Sequence, residues 1–326
     1  MSKKRNKQVE KLQWLIEYWL VLAMCGLIRL LPYPLAYRLG GILGLIAFKI
    51  DKRHRSITLD NLRNSFKDRS ETELQETAKN VFINFGRAAI EFIRSERFFR
   101  DGIEKNFKII NLEAYDRALS KGMGLLLLTG HCGSWELLAL AQSVRKPPFG
   151  VVARPLDNPY LEKLVSKART RYGNFLIGKK WGLKEILRTI SEGGTVGILL
   201  DQNVARKEGV FVDFFGRPAC TNKGLALIAA RTKAPVITAF IRRIDRELHE
   251  VHIGDEIPFV DTGDKEADLI TNTQAYTKVI EDFIRKYPDQ WFWMHRRWKT
   301  RPEPGEKALT QPAIAGPTSP AGGGVI

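Results

Sequence analysis

The chain has 326 residues, enough for one large domain or two small ones with a sizeable core. Apolar residues make up 44% and charged residues 27%, which excludes a disordered chain, a collagen-like repeat and a polytopic membrane protein. A net charge of +16 points to a polyanionic partner, whether nucleic acid, anionic lipid or an acidic carrier protein. Cys25, Cys132 and Cys220 are scattered and carry no CxxC spacing, which argues against a disulfide framework and a structural zinc site and for a reducing compartment.

A basic opening (Lys3, Lys4, Arg5, Lys7, Lys11) runs into an apolar stretch from Leu12 to Leu31, broken by Gln13, Glu17 and Arg29. Twenty residues at ~1.5 Å rise reach roughly 30 Å, the depth of a bilayer core. No small-x-small cleavage site follows; Pro32, Pro34 and a second apolar stretch from Leu39 to Phe48 come instead, so the segment is expected to stay attached. Trp14, Tyr18 and Trp19 suit an interfacial helix, and Lys49, Lys52, Arg53 and Arg55 suit an anionic membrane surface. Nucleic acid is not expected as a partner: there is no zinc-finger spacing, no aromatic RNA-binding segment and no long basic stripe.

From Asn61 to Phe99 the apolar spacing is helical through Phe82, Phe85, Ala89, Phe92 and Ile93. Beyond residue 105 short apolar runs alternate with helical stretches, the pattern of an α/β layer architecture. Strands are predicted at Gly124–Thr129, Phe149–Ala153, Gly194–Leu200, Pro235–Ile241 and Leu248–Ile253, the last two as a hairpin around Asp245. Helices are predicted from Ser134 to Ser143, Asn158 to Tyr172, Leu183 to Ser191, Thr221 to Lys233 and Lys265 to Tyr287, with Ser134, Asn158 and Thr221 as caps. Gln290–Met294 reads as a closing aromatic strand, and the Pro/Gly-rich tail from Arg301 as disordered. The expected division is a basic N-terminus and membrane-associated helical anchor over 1–60, an α/β domain over 61–300 and a tail over 301–326.

Three predicted strands end in polar residues: the first in Gly130-His131-Cys132-Gly133-Ser134-Trp135-Glu136, the second in Arg154, the third in Asp201-Gln202-Asn203. Ligands of open α/β sheets bind beyond the carboxyl ends of the strands, so these clusters are expected to meet in one cleft. His131 lies in a glycine-flanked turn, with Glu136 in the following helical turn able to reach back and hold the imidazole in one tautomer. Such a dyad, lacking a serine, serves to deprotonate a hydroxyl belonging to the substrate, which then attacks an activated acyl group. Arg154 would stabilise the tetrahedral intermediate or hold an acidic group of a substrate. Cys132, adjacent to His131, carries no mark of an activated thiol. His249 and His252 are three apart in a strand, on opposite sides, and no metal is expected. Phe211, Phe214 and Phe215 either line an acyl-chain groove or belong to the core.

His131 to Glu136 resembles the H-x4-D/E signature of the glycerolipid acyltransferase superfamily. Four further blocks, Arg154–Pro159, Asp201–Asn203, Phe214–Thr221 and Trp293–Lys299, are similar in matching order to those of the bacterial lipid A biosynthesis (late) acyltransferases. The resemblance implies a mixed central sheet flanked by helices, with an N-terminal hydrophobic helical anchor. It implies transfer of a fatty acyl chain from an acyl carrier protein thioester, or alternatively from coenzyme A, to a hydroxyl of a lipid A precursor or related glycolipid at the cytoplasmic face of the bacterial inner membrane. Other lysophospholipid or mannosylated acceptors, a hydrolase using the same histidine, and a non-catalytic basic membrane-bound binding protein are the competing readings. In this reading His131, Glu136 and Arg154 are catalytic. Asn158, Asp201, Gln202, Gly216, Arg217, Thr221, His295, Arg296 and Arg297 bind substrate, and no cofactor is required.

Overall fold

A computed structural model describes residues 7–145, 149–178 and 182–303. The chain begins with four helices. α1 (Lys7–Leu30) and α2 (Tyr33–Ile50) are joined by two residues, and α3 (Lys52–Ser65) follows directly, running unbroken across position 60. α4 (Glu71–Ile93) starts at Ser70, whose side chain accepts from the Glu73 amide while Glu73 reaches back to the Ser70 amide. This reciprocal cap splits the helical stretch expected from Asn61 to Phe99, because it satisfies the first orphan amides of a new helix.

α2 and α4 cross at small residues. A Cβ added to Gly44 would lie 2.2 Å from the Phe82 carbonyl oxygen, and one added to Gly86 would lie 2.2 Å from that of Gly40. α1 is held at two places: Asn158 Nδ2 donates to the Trp14 carbonyl and to Glu17, each at 3.0 Å. Arg94 Nη1 donates to the carbonyls of Ile28, Arg29 and Leu31 at 2.9, 3.0 and 2.9 Å, supplying partners for orphan groups at the helix end. One face of α1 is bare. Leu12, Ile16, Trp19, Leu20, Leu27 and Leu30 are exposed, as are Leu35, Ile42, Ile46 and Ile50 of α2. Of the described helices, the 23 residues Gln8–Leu30 are long and apolar enough to cross a membrane, with mean hydropathy 1.3.

The α/β part then alternates β1 (Phe107–Ile110), α5 (Leu112–Leu119), β2 (Leu125–Thr129), α6 (Trp135–Arg145), β3 (Phe149–Val152), α7 (Pro159–Arg169), β4 (Asn174–Ile177), α8 (Gly182–Ser191) and β5 (Thr195–Leu199). A hairpin of β6 (Gly209–Phe214) and β7 (Arg217–Asn222), then α9 (Gly224–Thr232), β8 (Val236–Arg243), β9 (His249–Ile253) and α10 (Lys265–Lys286) complete it. The seven-stranded sheet has the order β1-β9-β8-β2-β5-β3-β4. Its pairs are parallel except β8 with β9, so the sheet is mixed and flanked by helices. β2 is buried on both faces. Leu126 and Leu128 pack in one apolar cluster and Leu125 and Leu127 in the other, which is why its sequence is a continuous leucine run.

The hairpin around Asp245 forms, the Asp245 carboxylate accepting from the amides of Glu247 and Leu248. Two expectations fail. Thr221 lies inside β7, and α9 starts at Gly224 after Lys223, so Thr221 caps nothing. Gln290–Met294 is no strand: a 3-10 turn, Pro288–Gln290, precedes a lone bridge between Trp291 and Cys132. The aromatic alternation there reflects side chains inserted into the core, with Trp291 and Trp293 buried. β1, α5, β4 and the β6–β7 hairpin were not anticipated. The tail expected to be disordered lies, from residue 304, outside the described residues.

Candidate active site

Because β5 lies between β2 and β3 in the sheet, the ends of these three strands are neighbours. They open on a cavity of about 300 Å³ lined by His131, Glu136, Arg154, Arg169 and Gln202, with an apolar wall that includes Leu127, Leu138 and Val151. Phe149 and Gly197 meet in this lining: a Cβ on Gly197 would lie 2.6 Å from Phe149 Cζ. The glycine in mid-strand therefore makes room for the ring.

His131 sits in the turn after β2. Gly133 adopts φ 53°, and a Cβ there would fall 2.4 Å from the Ile241 carbonyl oxygen, so the turn can pass β8 only as glycine. The turn is fastened by Gly133 N donating to the Gln290 carbonyl at 2.7 Å, and Phe292 N to the His131 carbonyl at 3.1 Å. Behind it lies a buried polar cluster. The Ser134 hydroxyl donates to Glu91, Arg243 pairs with Glu91, and Gln290 exchanges two hydrogen bonds with the Arg243 backbone at 2.7 and 2.9 Å.

The carboxylate against the imidazole is Asp201. Its Oδ1 lies 2.8 Å from His131 Nδ1, and its Oδ2 accepts from the His131 amide at 2.8 Å and from the Trp291 indole at 2.7 Å. Glu136 instead makes a two-pronged pair with Arg169, at 2.9 and 2.5 Å. The expected orienting role of Glu136 is corrected by this geometry: α6 directs its side chain toward α7, while β2 and β5 run side by side and bring Asp201 under the ring. Asp201 was expected only to shape the substrate site.

Burial disfavours a charged His131, but the Asp201 carboxylate and its hydrogen bond outweigh this and raise the imidazole above its ordinary value. Burial likewise opposes ionisation of Asp201, and the His131 charge and hydrogen bonds win, holding that carboxyl well below the usual range. With Nδ1 engaged, Nε2 is the ring nitrogen open to the cavity, and the Gln202 amide nitrogen lies 3.3 Å from it. Trp135 stands edge-on to the imidazole at 5.3 Å. Cys132 is buried, and burial together with the Asp201 charge pushes its thiol up, which leaves no activated thiol.

The other expected residues divide. Arg154 lies at the cavity mouth, its side chain 81% exposed and 3.3 Å from Asp157. Asn158 is a helix cap: its Oδ1 accepts from Tyr160 and Leu161 amides while its Nδ2 holds α1, so the side chain is fully used within the protein. Arg297 is buried, donating to the Cys220 carbonyl at 2.9 Å and to the Thr221 hydroxyl, which corrects both residues from ligand-binding to internal positions. His295 Nε2 accepts from the Asn203 amide at 2.9 Å, and burial lowers its ionisation to about 4, so it carries no positive charge near neutrality. Gly216, in the β6–β7 turn, and Arg217, the first residue of β7, do not line this cavity, and Arg296 is exposed outside it.

Phe214 and Phe215 belong to the core, against Trp291, Trp293 and Trp298, and Phe211 is buried; none lines the cavity. His249 is buried on one side of β9 and His252 lies half-buried on the other. Sequence reasoning missed Trp291 and Arg169. An indole has one donor and needs a buried acceptor, so the crowding of tryptophans after Gln290 was a signal available for the first. Nothing local marks the second.

Comparison with known proteins finds relatives along most of the chain. The palmitoleoyltransferase of lipid A biosynthesis from Escherichia coli (strain K12) is 28% identical over 297 residues, 90% of this chain and 94% of that one. The lauroyltransferase of the same organism is 29% identical over 290 residues, 87% of this chain and 92% of that one. Its myristoyltransferase is 24% identical, covering 88% of each chain. A solved structure, the 1-acyl-sn-glycerophosphate acyltransferase from Thermotoga maritima, matches at 11% identity and TM-score 0.37 over 78% of this chain and 99% of that one, too low a likeness to inform the site. The family described as bacterial lipid A biosynthesis acyltransferase matches residues 2–300, and the chain, an acyltransferase, belongs to it.

Proposed function

We propose that the protein transfers a fatty acyl chain from an acyl carrier protein thioester to a hydroxyl of a lipid A precursor or related glycolipid, with His131 as general base. The observation that carries this reading is the Asp201–His131 pair at the cavity: Asp201 takes Nδ1, which leaves Nε2, 3.3 Å from the Gln202 amide nitrogen, as the nitrogen for an acceptor hydroxyl, beside an apolar wall suited to an acyl chain. Nε2 takes the proton of the acceptor hydroxyl as its oxygen attacks the thioester carbonyl carbon. The carbonyl electron pair moves to oxygen, then returns as the carbon–sulfur bond breaks. The leaving thiolate recovers the proton from the imidazolium. No enzyme nucleophile is needed, since the thioester is already activated.

Asp201 stabilises the imidazolium that forms between the two proton transfers. The Gln202 amide, beside Nε2, supplies a donor to the developing negative charge. Arg154 at the mouth meets an acidic group of an incoming substrate, and the Glu136–Arg169 pair fixes one charged wall of the cavity. The net charge of +16 favours an acidic carrier as donor.

The exposed apolar faces of α1 and α2 support attachment to the cytoplasmic face of the inner membrane. Because α1 is bonded to the body at Trp14 and Glu17 and again at its C-terminal carbonyls, the helix is read as lying in the interface rather than crossing the bilayer.

Mass spectrometry of glycolipid incubated with acyl carrier protein thioester tests the reaction. An acyl-sized mass increment is expected with the native protein, and His131→Ala is expected to lower its rate by ~10²–10⁴. Thioester loss without an acylated acceptor would replace transfer by hydrolysis, and a preference for the coenzyme A thioester would overturn the donor.

A further inference from the structure

We propose that a second recess, between α3 and the segment 296–301, binds the phosphate of a lipid headgroup. Its volume is about 450 Å³, and none of its lining residues belongs to the cavity at His131. One wall is a face of α3, where Ile57, Asp60, Asn61 and Asn64 recur at helical spacing. The other carries Arg217, Arg296, Lys299 and Arg301.

Four cations converge there with one acid, Asp60, which already accepts from Arg63 at 3.3 Å and Ser56 at 3.4 Å. Among the described residues, none of the four cations pairs with a carboxylate. Arg217 lies over the Trp298 ring, its Cζ 4.3 Å from the ring centroid, and its buried Nη1 has no hydrogen-bond partner. An unpaired buried donor among like charges is costly. The fork of N–H donors of a guanidinium suits the oxygens of a phosphate.

The concave shape favours a projecting headgroup over the convex, carboxylate-bearing surface of an acidic protein. Position favours lipid as well: Ile57 lies in the second turn of α3, which follows α2 and its exposed last residue Ile50 after the one-residue break at Asp51. Arg296 of the recess follows His295, whose Nε2 accepts from the Asn203 amide, and Asn203 follows Gln202 of the other cavity, so a short run of residues joins the two pockets. A phosphate held here would moor a glycolipid whose hydroxyl enters the other cavity, a role that rests on the acyl-transfer reading; the binding itself does not.

Two arms test this with the full-length protein. In flotation with neutral phosphatidylcholine vesicles doped with a phosphorylated glycolipid, Arg296→Ala/Lys299→Ala, both exposed, is expected to weaken binding ~10–100-fold. Vesicles doped with the same glycolipid after phosphatase treatment should bind both proteins alike. Lys163→Ala/Lys184→Ala, which removes equal charge elsewhere, should leave binding unchanged. Vesicles doped with phosphatidylglycerol distinguish a glycolipid phosphate from that of any bilayer lipid.

Equal losses from the two double variants, or the same loss on dephosphorylated vesicles, would mean unspecific attraction and overturn the site. In the kinetic arm, the recess variant is expected to raise KM for the phosphorylated acceptor ~10–100-fold, with kcat and the thioester KM steady. A rise in thioester KM instead would make the recess a carrier dock and overturn the proposal. If the native protein transfers no acyl group, the functional reading falls while the vesicle arm still decides the site.

Discussion

Asp201 accepts three hydrogen bonds from two distant parts of the chain, and this fixes the pH behaviour expected of His131. A general base must be neutral to act, so the acidic limb of kcat/KM is expected to lie above pH 6.5, the ordinary imidazole value, because the Asp201 carboxylate raises His131. Asp201→Asn removes that charge; the limb should move to lower pH while the rate falls by about 10²–10⁴. An unmoved limb would mean that another group sets it.

The linked stability has the opposite sense. A raised folded value favours the protonated native state, so this contribution is complete below about pH 6.5 and is lost as pH rises through the folded value. His295 should titrate near 4, readable from the ring-proton shifts of the two imidazoles. His131 and the strand-end clusters were legible in the sequence because a polar residue after an apolar strand stands out locally. The partner was not, since Asp201 lies seventy positions on and becomes a neighbour only through pairing of β2 with β5. Glu136, five residues away, was the nearer candidate in sequence and the wrong one in space.

Among the elements, those built from one strong local signal were readable: the leucine run of β2, and α10 with Asp264 as its cap, its Oδ1 accepting from the Glu266 and Ala267 amides. The β6–β7 hairpin was not. Its turn places Phe215 at φ 57° and Gly216 at φ 72°, and a phenylalanine is not a residue that announces a left-handed position. Tertiary contacts hold it there, the Phe215 amide donating to Glu281 at 2.6 Å and its ring packing on Phe66 and Trp293.

α2 and α4 give a sharper test of packing. Gly86→Ala would put a methyl group 2.2 Å from the Gly40 carbonyl oxygen, where backbone and not a flexible side chain must yield. We expect a loss of about 1–3 kcal/mol, measured as a lower denaturation midpoint in detergent micelles. Gly122→Ala, with nothing within 4 Å but φ at 70°, should show backbone strain alone and so a smaller drop.

At the scale of the molecule, the exposed apolar face of α1 predicts how the protein meets a membrane. Trp19→Glu/Leu20→Glu/Leu27→Glu changes only exposed positions. It should release the protein from anionic vesicles in a sedimentation assay without altering its circular dichroism; unchanged sedimentation would remove α1 from the contact. Deleting the first fifty residues is the poorer experiment, because α2 covers α4.

α4 touches three things at once: the C-terminal carbonyls of α1 through Arg94, the glycines of α2, and the turn bearing His131 through Glu91 and Ser134. One stiff rod therefore joins the helices with exposed apolar faces to His131. With α1 and α2 seated in lipid, Nε2 stands at a set height above the acyl chains, as a gauge does above a table. If the proposed transfer to a glycolipid holds, regiochemistry follows from elevation: of several hydroxyls on one sugar, the one acylated is the one that the bilayer itself lifts to that level.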